Sequence, residues 1–227
     1  MIMTQISSSP LSPLVRKRRR STRQRIAMIS THGYVAAEPP LGTPDTGGQV
    51  VFVLELSKKL AQLGYKVDIW TRQFEGQPDS EVVDDQVTIL RVPCGGPDFI
   101  PKEQLYHCIP QWVENAHRKI IKQGWSYHFI NSHYWDAGLA GQALATALYV
   151  PHLHTPHSLG SWKQRQMEDA APEDKPQLEK QFNFTARVKN EQRLFEDCDL
   201  LIATSPPQSD LMIRHYGVPR AKVRMIP

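Results

Sequence analysis

The sequence predicts an α/β protein built on a doubly wound, mainly parallel sheet, and three observations carry that expectation. Short β-branched runs alternate with amphipathic stretches along most of the 227 residues, the signature of repeated βαβ units. A glycine pair, Gly47-Gly48, opens the first amphipathic stretch directly downstream of the first strand-like run. Every polar cluster of interest falls just after a strand candidate, so a parallel sheet would gather them on one rim, where ligands of such sheets bind.

The strand candidates are residues 26–30, 67–71, 87–92, 127–132, 151–155, 200–204 and 223–226. Helices are predicted over 49–63, 103–123, 136–148, 178–197 and 206–216. In the first of these Val50, Val53, Leu54, Leu60 and Ala61 form an apolar stripe, Glu55, Lys58 and Lys59 face outward, and Gly64 ends the helix. The sequence stops at Met225-Ile226-Pro227, flush with a strand-like run, and is therefore expected to be one lobe of something larger.

The loop Gly42-Thr43-Pro44-Asp45-Thr46-Gly47-Gly48-Gln49 is the most informative stretch. Paired glycines let a ligand approach the main chain closely. Just before a helix they add their N–H groups to the unpaired amides of its first turn, a natural seat for a phosphate or a sugar oxygen. The alternative is an ordinary cap, with Asp45 or Thr46 satisfying those amides. The loop is neither G-x-G-x-x-G nor G-x-x-x-x-G-K-[ST], which argues against a dinucleotide dehydrogenase and a P-loop NTPase. Asp68, in the position of a ribose-binding acid, is accordingly read as a strand-end or capping residue.

Charge is unevenly spread. Residues 1–24 hold six basic residues and no acid, while the formal net charge of the chain is +4, so the remainder is negative by two. The basic Ser/Pro-rich stretch 1–24 is expected to be a disordered tail rather than a nucleic-acid or lipid contact. It has no apolar core of a secretory signal, and no run approaches a membrane span. Cys94, Cys108 and Cys198, odd in number and dispersed, argue against a disulfide framework and for a reducing, cytoplasmic setting.

Four further clusters carry chemistry: Thr31-His32-Gly33-Tyr34, the segment Pro93-Cys94-Gly95-Gly96 through Lys102-Glu103, His133-Tyr134-Trp135-Asp136-Ala137-Gly138, and His154-Thr155-Pro156-His157-Ser158-Leu159-Gly160. His152 and His154 share a strand face, yet no Cys or carboxylate has matching spacing, so no metal site is expected. His157 is read as a hydrogen-bonding group for a polar substrate, and His133 as either a ligand contact or a backbone-bonded rim residue. Lys102, Lys163, Arg165 and Arg187 together would suit a phosphate monoester. Tyr134, Trp135 and Trp162 are either sugar-stacking or core aromatics.

In their order, Asp45-Thr46-Gly47-Gly48-Gln49, Phe99-Ile100-Pro101-Lys102-Glu103, His133-Tyr134-Trp135-Asp136-Ala137-Gly138 and His157-Ser158-Leu159-Gly160 resemble the N-terminal lobe of retaining family-4 glycosyltransferases, most of all the sucrose-phosphate synthase group. The similarity runs from about Arg25 to Pro227. It implies a Rossmann-like acceptor domain over 25–227, the first half of a GT-B fold, with the C-terminal donor lobe absent. It further implies that Gly47 and Gly48 lie against the donor diphosphate and transferred sugar, and that Gln49 and Lys102 contact fructose 6-phosphate. His157 would hydrogen-bond the donor hexose as the catalytic residue, with Lys163 and Arg187 near the acceptor phosphate and His133 and Asp136 shaping the cleft.

The wording around Ile29-Ser30-Thr31-His32-Gly33-Tyr34 and His152-Leu153-His154 resembles the branch that makes mannosylfructose phosphate, so GDP-mannose is expected as donor in preference to UDP-glucose. The resemblance implies no resident cofactor, Mg2+ entering at most as an activator, and neither nucleic acid nor membrane as a partner. Configuration is kept because the acceptor hydroxyl attacks on the face that the diphosphate leaves, with no enzyme nucleophile. The family's second lobe supplies the Arg/Lys pair for the diphosphate, so these 227 residues alone are expected not to catalyse transfer. The competing reading is a non-catalytic sugar-phosphate binding module.

Overall fold

The computed structural model describes residues 24–40 and 42–227, so the expected basic tail lies outside the described residues except for Gln24. Strands β1 (Arg25–Ile29), β2 (Lys66–Gln73), β3 (Ser80–Asp84), β4 (Val87–Pro93), β5 (Phe129–His133), β6 (His152–Thr155), β7 (Leu200–Ala203) and β8 (Val223–Met225) form one sheet. Its order is β3-β4-β2-β1-β5-β6-β7-β8, parallel except for the β3–β4 pair at one edge. The chain winds outward from β1 through β2 to β4, then crosses back and winds the other way from β5 to β8. The direction therefore reverses between β1 and β5, and the carboxyl ends of those two strands frame the switch-point crevice.

The helices are α1 (Gly48–Gln62), α2 (Lys102–Leu105), α3 (Ile109–Gln123), α4 (Trp135–Leu148), α5 (Gly160–Ala170), α6 (Lys175–Phe182), α7 (Phe184–Asp197) and α8 (Pro206–Tyr216). Strand alternation sorts them onto two faces. Ile26 and Met28 of β1 join Val67, Ile69, Val87 and Ile89 against Val50, Val53 and Leu54 of α1. Ala27 and Ile29 instead join Trp70, Leu90 and Val92 against Trp112 and Ile120 of α3 and Ala137, Ala140 and Leu144 of α4. A third cluster seats α7 and α8 on β7 and β8 through Leu194, Phe195, Leu201, Met212 and Tyr216. No helix among the described residues is long and apolar enough to cross a membrane.

The mainly parallel doubly wound sheet agrees with the sequence reading; several boundaries do not. The edge strand β3 was not predicted: its side chains are exposed or half-buried in alternation, and Asp84 closes the hairpin by accepting from the amides of Gln86 and Val87. The helix predicted over 103–123 breaks into α2, a 3₁₀ turn at Tyr106–Cys108, and α3, with Pro110 in the first turn of α3, where a missing N–H is tolerated. That predicted over 178–197 breaks at Asn183, which takes a left-handed conformation (φ 51°) between α6 and α7. Helix α5 also escaped prediction, because Gly160 is its one buried residue. Asp68 lies near the amino end of β2, away from the rim, where it is buried and takes the Arg25 guanidinium (2.7 Å) and the Tyr127 hydroxyl (2.6 Å).

Small residues in α4 make room for a buried polar ladder. Ser132 Oγ stands between His152 Nε2 (2.7 Å) and His154 Nδ1 (2.8 Å), and Gln142 Oε1 meets His152 Nδ1 at 2.9 Å. With Gln142 accepting, His152 carries its proton on Nδ1, so Ser132 donates to His152 and accepts from His154. The two imidazoles converge, as their shared strand face predicts, but on a hydroxyl. A Cβ on Gly141 would stand 2.6 Å from His152 Nε2 and 2.9 Å from Ser132 Cβ. Gly141→Ala is therefore expected to destabilise the fold by about 1–3 kcal/mol through overpacking, despite alanine's better helix propensity. Urea unfolding checks this, and an unchanged or raised midpoint would contradict it.

Candidate functional site

An open crevice of about 420 Å³ lies at the switch point, lined by Thr43, Asp45, Thr46, Gly47, Gly48 and Gln49 on one side and Lys102, Tyr134, His157, Ser158 and Lys163 on the other, with His32 at its base. Gly47 is the N-cap of α1, and no side chain caps the helix. The two residues that might have done so are engaged elsewhere. Thr46 Oγ1 accepts from the Tyr34 amide at 2.8 Å, and Asp45 accepts from both the amide (3.0 Å) and the ammonium of Lys102. The cap alternative is thereby excluded: the Val50 amide bonds the Gly47 carbonyl (3.0 Å), while the amides of Gly48 and Gln49, which line the crevice, have no protein partner among the described residues.

Nothing in the fold requires glycine at these two positions. Neither residue has a positive φ, and a Cβ on either would meet no described protein atom within 4 Å. What their missing side chains leave open is the crevice itself. Gly33 differs: its φ is +78°, and a Cβ there would fall 2.3 Å from the Asp45 carbonyl oxygen, so the loop after β1 and the glycine loop lock together by backbone contact.

His157 forms the opposite wall at φ 60°, a left-handed conformation uncommon outside glycine. Its Nε2 lies 2.9 Å from His133 Nδ1, and the Phe52 ring meets it edge-on. Burial, then the nearby charge of His32, pulls the His157 pKa down to about 4, so the ring is neutral at physiological pH, and its other nitrogen has no protein partner among the described residues. His133 does not line the crevice; it is buried behind His157, held neutral by burial, with Nε2 unpaired.

The cations differ sharply. Burial favours the neutral amine of Lys102, but Asp45 and Glu103 (3.0 Å) outweigh it and keep the ammonium charged, already committed to two carboxylates. Lys163 has no carboxylate partner among the described residues; it lies 4.3 Å over the Phe182 ring, its pKa lowered first by burial and then by Arg187 and Lys102. Arg187, read from sequence as a phosphate ligand, stands behind the wall with 3% exposure: Nε bonds Glu191 (2.7 Å), Nη2 bonds the carbonyl and hydroxyl of Ser158, and the guanidinium lies 4.7 Å from the Tyr134 ring. Gln49 turns inward, donating to Ser30 Oγ and the His133 carbonyl, both at 3.2 Å.

Asp136 is also buried. It accepts from the Thr31 hydroxyl (2.6 Å) and faces His32 Nδ1 at 3.0 Å with each oxygen. His32 is a lining residue that sequence reasoning named within a cluster but gave no role. Its signal was present in Thr31-His32-Gly33-Tyr34, but only the fold reveals the Asp136 contact 104 residues away. Trp135 is a core residue against Tyr106, and Trp162 packs on His215; neither lines the crevice. Among the described residues no cluster of His, Cys, Asp or Glu has a metal-binding arrangement.

With this geometry in place, comparison with known proteins defines the class. The sequence profile described as Glycosyltransferase Family 4 matches residues 46–227, and the chain belongs to that family. It is 59% identical over 203 residues to mannosylfructose-phosphate synthase of Agrobacterium fabrum, covering 89% of this chain and 45% of the relative. A probable sucrose-phosphate synthase of Thermosipho melanesiensis is 29% identical over 180 residues, 76% of this chain and 41% of that one. The structure of sucrose-phosphate synthase from Thermosynechococcus elongatus superposes with a TM-score of 0.75 at 33% identity, over 90% of this chain and 48% of that one. The catalytic domain of starch synthase IV from Arabidopsis thaliana shares the fold at a TM-score of 0.57 and 13% identity. The chain thus spans about half the length of its relatives and has the architecture of the N-terminal lobe of a GT-B glycosyltransferase.

The buried histidines make stability depend on pH. His133, His152, His154 and His157 all have pKa values pushed below the ordinary 6.5, His152 and His157 to about 4. Between those limits the unfolded chain binds protons that the folded chain refuses, so stability rises with pH and is lost as pH falls from about 6.5 toward 4. Each histidine is expected to contribute up to about 1.4 kcal/mol per pH unit in that window. Urea midpoints measured at pH 7.5, 6.5 and 5.5 (about one unit either side of the ordinary histidine pKa) should fall steeply only over the last interval. Equal midpoints at all three would overturn the assignment.

Proposed function

We propose that this lobe binds fructose 6-phosphate in the switch-point crevice and presents it for hexosyl transfer, with retention, from a nucleotide sugar bound jointly with a donor lobe. GDP-mannose is the donor we infer, giving mannosylfructose phosphate; UDP-glucose, giving sucrose phosphate, is the alternative. The supporting observation is the glycine pair. Its absent side chains leave space that no described protein atom occupies, against uncapped helical amides that suit phosphate oxygens. The naming of the Agrobacterium relative supports the choice of product.

In this reading Gly47 and Gly48 donate main-chain N–H groups to the departing diphosphate, where charge develops in the transition state. Neutral His157 hydrogen-bonds the transferred hexose through the ring nitrogen that His133 leaves free. Lys163, without a carboxylate partner, takes the acceptor phosphate, and Lys102 joins by exchanging one of its two carboxylates for a phosphate oxygen. The acceptor hydroxyl attacks the anomeric carbon on the face from which the diphosphate leaves, and a departing phosphate oxygen takes its proton. Gln49, Asp136, His133 and Arg187 hold these groups in place. Bases for discriminating the nucleotide, and any Mg2+ activation, belong to the complete cleft.

Calorimetry with fructose 6-phosphate tests the acceptor site on this chain. Lys163→Ala is expected to weaken binding by about 1.5–3 kcal/mol, the usual cost of losing a charge-assisted hydrogen bond. Gly48→Ala, whose amide is assigned to the donor diphosphate, should leave the unfolding free energy within about 0.5 kcal/mol of the parent, as for a surface change, and leave the affinity for fructose 6-phosphate unchanged. Parent-like affinity in Lys163→Ala would refute the acceptor site. With GDP-mannose or UDP-glucose added, this chain alone is expected to give no disaccharide phosphate, and turnover at an ordinary enzymatic rate would refute the requirement for a donor lobe.

A further inference from the structure

Cys94 and Cys108 are fourteen residues apart in sequence, and the fold puts Sγ of one 3.0 Å from Sγ of the other. Cys94 ends the run out of β4 and is 1% exposed; Cys108, at the junction between the 3₁₀ turn and α3, is partly exposed. Both are free thiols. The approach is engineered by their surroundings. A Cβ on Gly95 would fall 3.1 Å from Cys108 Sγ and 3.2 Å from its Cβ, so only glycine lets the turn close on the second cysteine. Arg72, itself 2% exposed, donates to the carbonyls of Cys94 (2.9 Å), Gly96 (3.0 Å) and Asp98 (2.8 Å) and so fixes the loop from the sheet side. A disulfide needs its sulfurs at about 2.05 Å, which leaves a closure of about 1 Å.

We propose that Cys94 and Cys108 form a reversible oxidative modification site: a thiol pair that a small-molecule disulfide converts into an intramolecular disulfide. The two sulfurs have different parts. Hydrogen bonding from Cys94, against the effect of burial and with help from the Arg72 charge, brings the Cys108 thiol down to about 7, whereas the Cys94 thiol is pushed up. The partly exposed Cys108 thiolate attacks one sulfur of the oxidant RSSR, forming Cys108–S–S–R and releasing RS⁻, which takes a proton. Cys94 then loses its proton and attacks Cys108 Sγ, forming the Cys94–Cys108 bond and expelling the second RS⁻. The two thiols are oxidised by two electrons, and RSSR is reduced to two RSH. The product closes the segment 94–108, which includes Lys102 at the crevice, against the end of β4. Cys198, buried at the C-terminal end of α7 with its thiol raised to about 11, stays reduced and serves as the internal control.

The test uses the full chain and oxidised glutathione, followed by trypsin digestion without reductant and mass spectrometry. The expected result is a disulfide joining the peptides 92–102 and 103–118, loss of both free thiols at Cys94 and Cys108, retention of the Cys198 thiol, and full reversal by dithiothreitol. Cys94→Ser should trap glutathione on Cys108, and Cys108→Ser should leave Cys94 unmodified. A persistent glutathione adduct on the unsubstituted chain, an unreactive pair, or a cross-link through Cys198 would each overturn the proposal. The peptide map of the unsubstituted chain decides the matter even if either serine variant folds poorly.

Discussion

The buried carboxylate of Asp136 ties the two halves of the doubly wound sheet together at the point where they part. It sits in the first turn of α4, after β5, and its partners Thr31 and His32 follow β1. A carboxylate removed from water is costly unless its lone pairs are filled, and here two donors and the positive end of α4 fill that need. The rest of the rim follows from this fixed point. With His32 held, Gly33 is positioned against the Asp45 carbonyl, Tyr34 gives its amide to Thr46, and Asp45 is left to cap α2 and hold Lys102. Three connections, those after β1, β4 and β5, thereby share one geometry.

That geometry separates hydrogen-bonding capacity from charge. The Gly48 and Gln49 amides at the start of α1 are open, the His157 imidazole is kept neutral by burial, and Lys102 and Arg187 are already paired. An anion entering the crevice therefore meets, among the described residues, one uncommitted ammonium, Lys163, and a helix terminus. Lys102 can be recruited at modest cost, since exchanging a carboxylate for a phosphate replaces one charge-assisted bond by another. Its half-buried pair with Asp45 also restrains the glycine loop, so the same ion pair stiffens the empty site and contributes to the filled one.

How far the sequence foretold this depends on the range of the interactions. Gly47, Gly48, Lys102, His157 and Lys163 were legible because each follows a recognisable strand, and the parallel topology brings all strand ends to one rim. The direction in which a side chain turns was not legible. Gln49 and Arg187 lie in the expected neighbourhoods yet point into the protein, drawn by the His133 carbonyl, Ser158 and Glu191. His32 was named within its cluster but given no role, because its partner Asp136 is distant in sequence. The edge strand β3 and the surface helix α5 were missed for a related reason: both bury little, so the apolar periodicity that reveals buried elements is weak there.

The role of Arg187 becomes clear from backbone strain. Tyr134 adopts φ 76°, ψ 163°, a region nearly confined to glycine, and His157 adopts φ 60°; such residues cost about 1–3 kcal/mol each and persist only where their surroundings hold them. Both line the crevice. Arg187 reaches each of them, through its face to the Tyr134 ring and through Nη2 to Ser158, the residue after His157. Glu191 anchors the guanidinium from behind and also accepts from the Gly160 amide and the Tyr216 hydroxyl. One buried ion pair thus fixes two unfavourable turns, and those turns aim a phenol ring and a neutral imidazole at the space opposite the helix amides. A cation spent in this way is unavailable to a ligand, which is why the burden of anion recognition shifts to Lys163 on the neighbouring helix.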